Sequence, residues 1–440
     1  MEGRQPSYEE LLALVEELKQ RVATLEAELA EARQAAARQA APFRRREKLK
    51  KPAEEKKPPG HEGHYRQAPA EIDQTEDVPL SGCPHCAAEL EHIRRMEQVI
   101  EELPLVRPRR IKVVTYEGIC PQHGPVRSTH PLQTSTAVGA AGTHLGPRAQ
   151  AVAVTLTHRL GLSCRQACTA LETLCGLRLT PGGLSQLLHR VARRTAGWWD
   201  DILQRIRTSA AVYADETSWW VNGPGWWLWV FTTPRATLYY VAASRGAAVV
   251  REILGDHFGG MLVTDCLASY NAIDCRKHKC LAHHLRVLKE HEESLEQRGV
   301  HSTYLLLWKL HLKDVIAAWN ERGILSPEDY ATKVAQLQQG VDNLLEQSPS
   351  EPEEVRFRDR LRRQRLHLLG CLYDPSAEPT NNRAERDLRP AVMQRKTGCG
   401  NRTERGKQTW EQLRSLVVTA AKTGDDLLTT LAARLQLAAA

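Results

Sequence analysis

Three acidic residues stand where oxygen ligands could converge. Asp215 ends the apolar segment AVYADE, Asp265 ends MLVTD, and Glu385 lies in a helical stretch opened by Pro379-Thr-Asn-Asn. Acids at the ends of two neighbouring strands, joined by one from a helix beside the sheet, put three oxygen donors around one small space. Hard cations take such donors. Mg²⁺ (or Mn²⁺) keeps its waters on a few carboxylates, and two such ions about 4 Å apart can activate an attacking oxygen and steady a leaving one in an in-line displacement at phosphorus. Crowded without a cation, ionised carboxylates repel and raise one another's pKa. Each acid also has a structural reading. Strand-end Asp residues form turns, and Glu385 could be the N3 partner of Asn382 in an arrangement like a capping box. Residue types and spacing leave both readings open.

A second set of ligand types is Cys83-Pro-His-Cys86 and Cys120-Pro-Gln-His123, separated by an insert with the alternating segment IKVVTYEGI. Two Cys-x-x-Cys/His pairs on turn-like sequence supply four soft or borderline donors, as in a zinc ribbon whose knuckles converge on one tetrahedral Zn²⁺. Cys83, Cys86, Cys120 and His123 make that set, with His85 as an alternative ligand. Four protein donors leave no open position, so this zinc holds structure. The chain's 11 cysteines are odd in number and scattered, which argues against a secreted disulfide framework. Cys164, Cys168 and Cys175 fall on helical sequence and read as small buried apolar residues.

Charge points to a polyanion. The 60 basic and 53 acidic residues leave a net +7, and the surplus is local. Residues 44–57, with Arg44, Arg45, Arg46, Lys48, Lys50 and Lys51, form a basic run suited to phosphate neutralisation, or else a solvated linker. Around the last acid stand Arg383, Arg386, Arg389, Arg395, Lys396, Arg402 and Arg405, which can hold DNA phosphates. Asn381 and Asn382 read as helix caps. His283 reads as a structural histidine or as a proton relay near the acids. No stretch approaches the roughly 18 apolar residues of a membrane helix, and the N-terminus lacks a signal peptide's apolar core, which places the chain in the cytosol.

The elements that must carry these residues imply a multidomain α+β chain. Leu11, Val15, Leu18, Val22, Leu25 and Leu29 form a heptad seam, so residues 1–40 read as a coiled-coil helix for homodimerisation and 41–78 as a basic flexible linker. The zinc-binding ribbon takes 79–130. Residues 131–208 read as helices, with Ser163 and Thr180 as N-caps and Gly176 as a stop, forming either a helix-turn-helix that reads DNA or a platform. At 209 the register turns β-branched and aromatic, predicting three antiparallel strands and then a buried strand ending at Asp265, within a core segment 209–288. A helical insertion follows over 289–375, and 376–440 completes the core.

The runs YADETSWWVNG, LVTDCLASYN, CLAHHLR and NNRAERDLRPAVMQRKTGCGNRTERG resemble the blocks of the insertion sequence 66 family of bacterial transposases. The resemblance extends over most of the chain and includes the leucine zipper, the PGHEGH segment ending the basic linker, the Cys/His region and the insertion before the last acid, in that order. It implies a ribonuclease H-like α/β core interrupted by a helical insertion, with Asp215, Asp265 and Glu385 as first, second and third catalytic acids. It further implies a DNA transposase with catalytic Mg²⁺ or Mn²⁺, acting on transposon ends and target DNA in the bacterial cytoplasm at the nucleoid, with small accessory proteins as possible partners. A retired DNA-binding derivative and a ribonuclease H-like nuclease are the alternatives. Cys266-Leu267 in place of the family's Gly-Tyr, His284 after His283, and Cys399 depart from the pattern.

Overall fold

A computed structural model describes residues 19–22, 69–80, 82–83, 85–86, 88–135, 143–398 and 400–436. The chain divides into two units, residues 44–108 and residues 1–43 with 109–440. The coiled-coil seam lies outside the described residues except for 19–22, which are helical, and the basic run 44–57 lies wholly outside them. Described residues of the smaller unit form neither helix nor strand. There the Cys83 amide donates to the Ala88 carbonyl at 2.9 Å, closing a turn around the first Cys pair.

In the larger unit, β1 (Glu117–Cys120) and β2 (Gly124–Arg127) form a small antiparallel hairpin whose turn is the Pro-Gln-His segment. The principal sheet has β3 (Ala211–Trp219), β4 (Trp226–Thr232), β5 (Thr237–Ala242), β6 (His257–Thr264) and β7 (Asp274–Lys279) in the order β5-β4-β3-β6-β7. The first three are the expected antiparallel meander, rich in aromatic and β-branched residues that suit a pleated, half-buried surface. β6 and β7 run parallel to β3. β7, DCRKHK, was not expected as a strand. Its polar composition conceals it, yet His278 and Lys279 are fully buried.

Alternation sorts the sheet into two faces, since successive strand residues point to opposite sides. Tyr213, Val230, Tyr239, Met261 and Val263 pack in one core, whereas Val212, Ala214, Trp229, Phe231 and Leu262 pack in another. The second face is covered by α4 (Ala196–Arg207) and α5 (Ala247–Leu254). Ahead of α4 come α1 (Pro147–Val154), α2 (Cys164–Cys175) and α3 (Pro181–Arg194). Ser163 and Thr180 cap α2 and α3, and Gly176 ends α2 in a left-handed conformation, φ 64°, as the sequence predicts. After β7 follow α6 (Leu281–Glu296), α7 (Thr303–Glu321), α8 (Pro327–Glu346), α9 (Pro352–Arg363) and the short α10 (Gly370–Tyr373), a helical run as the sequence pattern predicts. α11 (Asn382–Gly398) returns to the first face, and α12 (Glu404–Thr423) and α13 (Leu427–Leu435) close the chain. α12 and α13 share a hydrophobic core with α1–α3 through Leu413, Val417, Leu431 and Leu435.

α12 also closes the outer edge of the sheet. The amides of Thr237, Tyr239 and Val241 donate to Thr419 Oγ1, Ser415 Oγ and Glu411 Oε1 at 3.0, 2.9 and 2.5 Å. Helical residues four apart share a face, and alternate strand amides share an edge, so one polar stripe satisfies one row of donors that would otherwise template pairing with another strand. Among the described residues, no helix is long and apolar enough to cross a membrane.

Candidate active site

Asp215 sits at the fifth position of a nine-residue strand, not at its end as the sequence suggested. The difference has a topological reason. β3 pairs with β6 only over Ala211–Tyr213 and then continues against β4 alone, so Asp215 lies just past the point where its parallel neighbour gives out. Asp265 is the first residue beyond β6, and its Oδ1 accepts the Leu267 amide at 2.8 Å, forming a turn. By parity Asp215 shares a face with Tyr213, and Asp265 with Met261 and Val263. That is the face on which α11 lies, with Glu385 in its first turn.

Two tethers fix α11. Asn381 does not act as a side-chain cap. Its buried amide donates to the Ala214 carbonyl at 2.8 Å, and its backbone N–H lies 3.0 Å from Cys280 Sγ. In the second turn of the helix, Asp387 Oδ2 accepts from Thr232 Oγ1, Thr237 Oγ1 and Lys422 Nζ at 2.6, 2.9 and 2.6 Å. Glu385 lies between these anchors and closes no capping box. Its Oε1 is buried without a hydrogen-bond partner, 3.6 Å from His283 Nε2 and 4.0 Å from a terminal nitrogen of Arg286.

Electrostatics mark this face as unbalanced. Burial first, then the charges of Glu216, Asp265 and Glu385, push the Asp215 carboxyl well above the usual carboxylate range. Burial holds His283 below the ordinary imidazole value against the opposing pull of Asp265 and Glu385. Its neighbour His284 is fully buried and pushed well down, chiefly by burial and then by Arg360. Cys266 Sγ stands 3.7 Å from His284 Nε2. The acids feel one another's charge but have not closed to coordination spacing. Among the described residues, no group of three or more His, Cys, Asp or Glu side chains is drawn together tightly enough to hold a metal. The donor set nevertheless suits a hard cation, being all carboxylate oxygen and including a buried, orphaned one.

The family model described as Transposase IS66 family matches residues 142–409, a span that runs from α1 into α12 and contains all three acids. The chain belongs to the IS66 family of transposases. A curated relative, the uncharacterized protein y4qI of Sinorhizobium fredii, is 26% identical over 259 residues, covering 52% of this transposase and 48% of the relative. The alignment thus spans about half the length of each.

The basic residues of this transposase divide into two groups. Arg383 is occupied internally, paired with Glu378 and stacked 5.3 Å above the Tyr213 ring. Arg395 donates to Thr217 Oγ1 and Ser218 Oγ at 3.2 and 2.8 Å, tying α11 to β3. Arg386, Arg389, Lys396, Arg402 and Arg405 are exposed. The loop before α12 is locked by Asn401, which receives the Trp219 indole N–H at 2.8 Å. Beside it, Gly400 adopts φ +86° where any Cβ would overlap the Trp220 carbonyl oxygen. At the β1–β2 turn, Cys120 Sγ and His123 Nδ1 are 3.5 Å apart. In the smaller unit, hydrogen bonds from the backbone of His85 and Cys86 lower the Cys83 thiol.

Sequence reasoning passed over Arg286, Glu216 and Lys279. Arg286 had a readable signal, since it lies three residues after His283 and so on the same helical face. Glu216 and Lys279 had none, because their roles depend on which strand neighbours which.

Proposed function

We propose that this transposase cuts DNA at transposon ends and joins the freed 3′-hydroxyl to target DNA, using Asp215, Asp265 and Glu385 as the ligands of Mg²⁺ or Mn²⁺. The observation carrying the reading is that buried Asp215 feels the charges of Asp265 and Glu385, and that one Glu385 oxygen is buried without a hydrogen-bond partner. The mixed strand order, with antiparallel β3–β5 followed by parallel β6 and β7, supports a ribonuclease H-like core with 289–375 as its insertion. When bound, the ions activate the attacking oxygen and stabilise the leaving one.

The chain's own residues do the rest. Asp215 and Asp265 present oxygens from a rigid sheet, and Asn381 and Asp387 hold Glu385 opposite them. His283, neutral by burial, can accept or return a proton at Nε2, the atom facing Glu385. Both steps are displacements at phosphorus, with water as nucleophile in the first and a 3′-hydroxyl in the second, so one site serves both without a covalent intermediate. Arg386, Arg389, Lys396, Arg402 and Arg405, with the run Arg44 to Lys51, supply phosphate contacts, while Arg383 and Arg395 brace the site. Cys83 and Cys86, and separately Cys120 and His123, supply thiolate and imidazole donors suited to structural Zn²⁺. Residues 1–40 dimerise the chain, which works in the bacterial cytoplasm at the nucleoid, with small accessory proteins of the same element as possible partners.

The test is strand transfer into supercoiled plasmid with Mg²⁺ or Mn²⁺, using duplexes cut from the DNA that flanks the gene. Joined product from the wild type and none from Asp215→Ala or Glu385→Ala is expected. Full activity in either variant contradicts the mechanism, and DNA binding without nicking by the wild type favours a retired DNA-binding protein.

A further inference from the structure

Behind the three acids, on the opposite face of the sheet, lies a second carboxylate with a different character. Glu216 follows Asp215, and strand alternation turns it away from α11. Its side chain is 1% exposed. Arg245 donates to Oε1 from Nε and a terminal nitrogen at 3.0 and 2.7 Å, and the Tyr270 hydroxyl donates to Oε2 at 2.5 Å. A buried charge is tolerated when its lone pairs are met by good donors, and here three donors meet two oxygens.

The donors come from instructive places. Tyr270 is in the short helical turn Ala268–Ala272, on the segment that begins at Asp265. Arg245 lies in the loop after β5, and its carbonyl accepts from Ser269 Oγ at 2.6 Å, one residue from Tyr270. Lys279, fully buried at the end of β7, donates to Thr264 Oγ1 at 3.0 Å, and Thr264 Oγ1 donates to the Asp265 carbonyl at 2.8 Å. Its ammonium is 5.8 Å from the Tyr270 ring. Glu216–Tyr270 thus joins the strand carrying Asp215 directly to the segment carrying Asp265, Arg245 joins Glu216 to Ser269 of that same segment, and Lys279 ties the end of β7 to Thr264, the residue before Asp265.

We infer that Glu216, Tyr270, Arg245 and Lys279 form a latch behind the sheet that sets the position of Asp265 relative to Asp215. These are positioning residues, for none of them faces the side on which the acids meet. The latch matters because β6 ends at Thr264, so no ladder hydrogen bond governs where the Asp265 carboxylate goes. The Glu216–Tyr270 bond is a direct side-chain link from β3 to residues 265–272, beside the Leu267 amide turn and the Ser269 bond to the Arg245 carbonyl. A misplacement near 1 Å is enough to lower both metal affinity and rate. The inference rests on the metal-site reading for its consequence, but the latch itself has an independent readout.

The experiment uses the full chain as wild type, Tyr270→Phe, Glu216→Gln and Asp265→Asn. Hydrogen exchange of the peptide spanning 265–273 reads the latch, and Mn²⁺ titration by calorimetry reads its consequence. Tyr270→Phe, which removes one hydroxyl and keeps the packing, is expected to speed exchange of that peptide at least about tenfold while the β6 peptide is unchanged, and to weaken Mn²⁺ binding about tenfold. A merely structural role would lower the melting temperature without moving Mn²⁺ affinity, and that outcome overturns the inference. So does wild-type exchange in both Tyr270→Phe and Glu216→Gln. Failure of the underlying reading looks different, since Asp265→Asn would then bind Mn²⁺ as the wild type does.

Discussion

Asp215 and Glu216 are consecutive residues of one strand in opposite circumstances. Glu216 has both oxygens met by Arg245 and Tyr270 within the protein, which oppose the upward push of burial and of the Asp265 charge on its carboxyl. Asp215, facing α11, meets two more acids, and its own oxygen accepts only the adjacent Glu216 amide at 2.9 Å. Burial is common to both, so it does not distinguish function from structure. Compensation does. A buried carboxylate whose partners are all in the chain is finished as a structural element, while one left among like charges is arranged for something that arrives from outside.

The largest test of that contrast is chemical. Asp215→Asn should lower metal-dependent nicking of supercoiled plasmid by at least about a thousandfold, because the interaction removed serves the transition state. The same variant in EDTA at pH 7 should melt higher than the wild type. With its folded pKa raised, Asp215 gives stability that is complete below its unfolded pKa and is lost as pH rises. A lower melting temperature would mean that its charge is compensated after all.

Glu216 should behave in the reverse way. Glu216→Ala strands the buried Tyr270 hydroxyl and the half-exposed Arg245, and should cost about 2–4 kcal/mol in urea unfolding. A change under about 0.5 kcal/mol would remove the distinction drawn between the neighbouring acids.

A third buried acid sharpens the comparison. Burial raises Glu411 to about 8, opposed by the Val241 amide and Lys407. Its contribution to stability is therefore full below its ordinary value of 4.5 and is lost as pH rises toward 8. Glu411→Gln keeps the acceptor for the Val241 amide and should flatten the decline in melting temperature between those two values. An unchanged slope would place the titration elsewhere.

The smallest expected effect belongs to the exposed cations. Arg386→Ala should lower the slope of log binding constant against log salt by about one on any duplex, with little change in stability. Arg395→Ala should instead destabilise the fold, since its donors are spent on Thr217 and Ser218.

What was legible in the sequence follows the same division. Strands β3–β5, the capped helices α2 and α3 and the helical run after β7 announce themselves by composition and periodicity, which are local. Asp215, Asp265 and Glu385 could be named together because the family resemblance supplied their meeting. β7 carries no strand signal because Asp274, Arg276 and Lys277 interrupt any apolar pattern, although its neighbours bury Lys279. Arg383 and Arg395 read as phosphate ligands because a sequence shows a cation without its partner. Glu216 was overlooked for the converse reason, as the partners that define it lie 29 and 54 residues away.

The central claim is that the three acids bind divalent metal together. Electron paramagnetic resonance of Mn²⁺ added to the zinc-loaded full chain counts the bound ions directly. The account predicts one or two tightly bound Mn²⁺ in the wild type and their loss in each of Asp215→Asn, Asp265→Asn and Glu385→Gln. The same number of bound ions in all four proteins would contradict it.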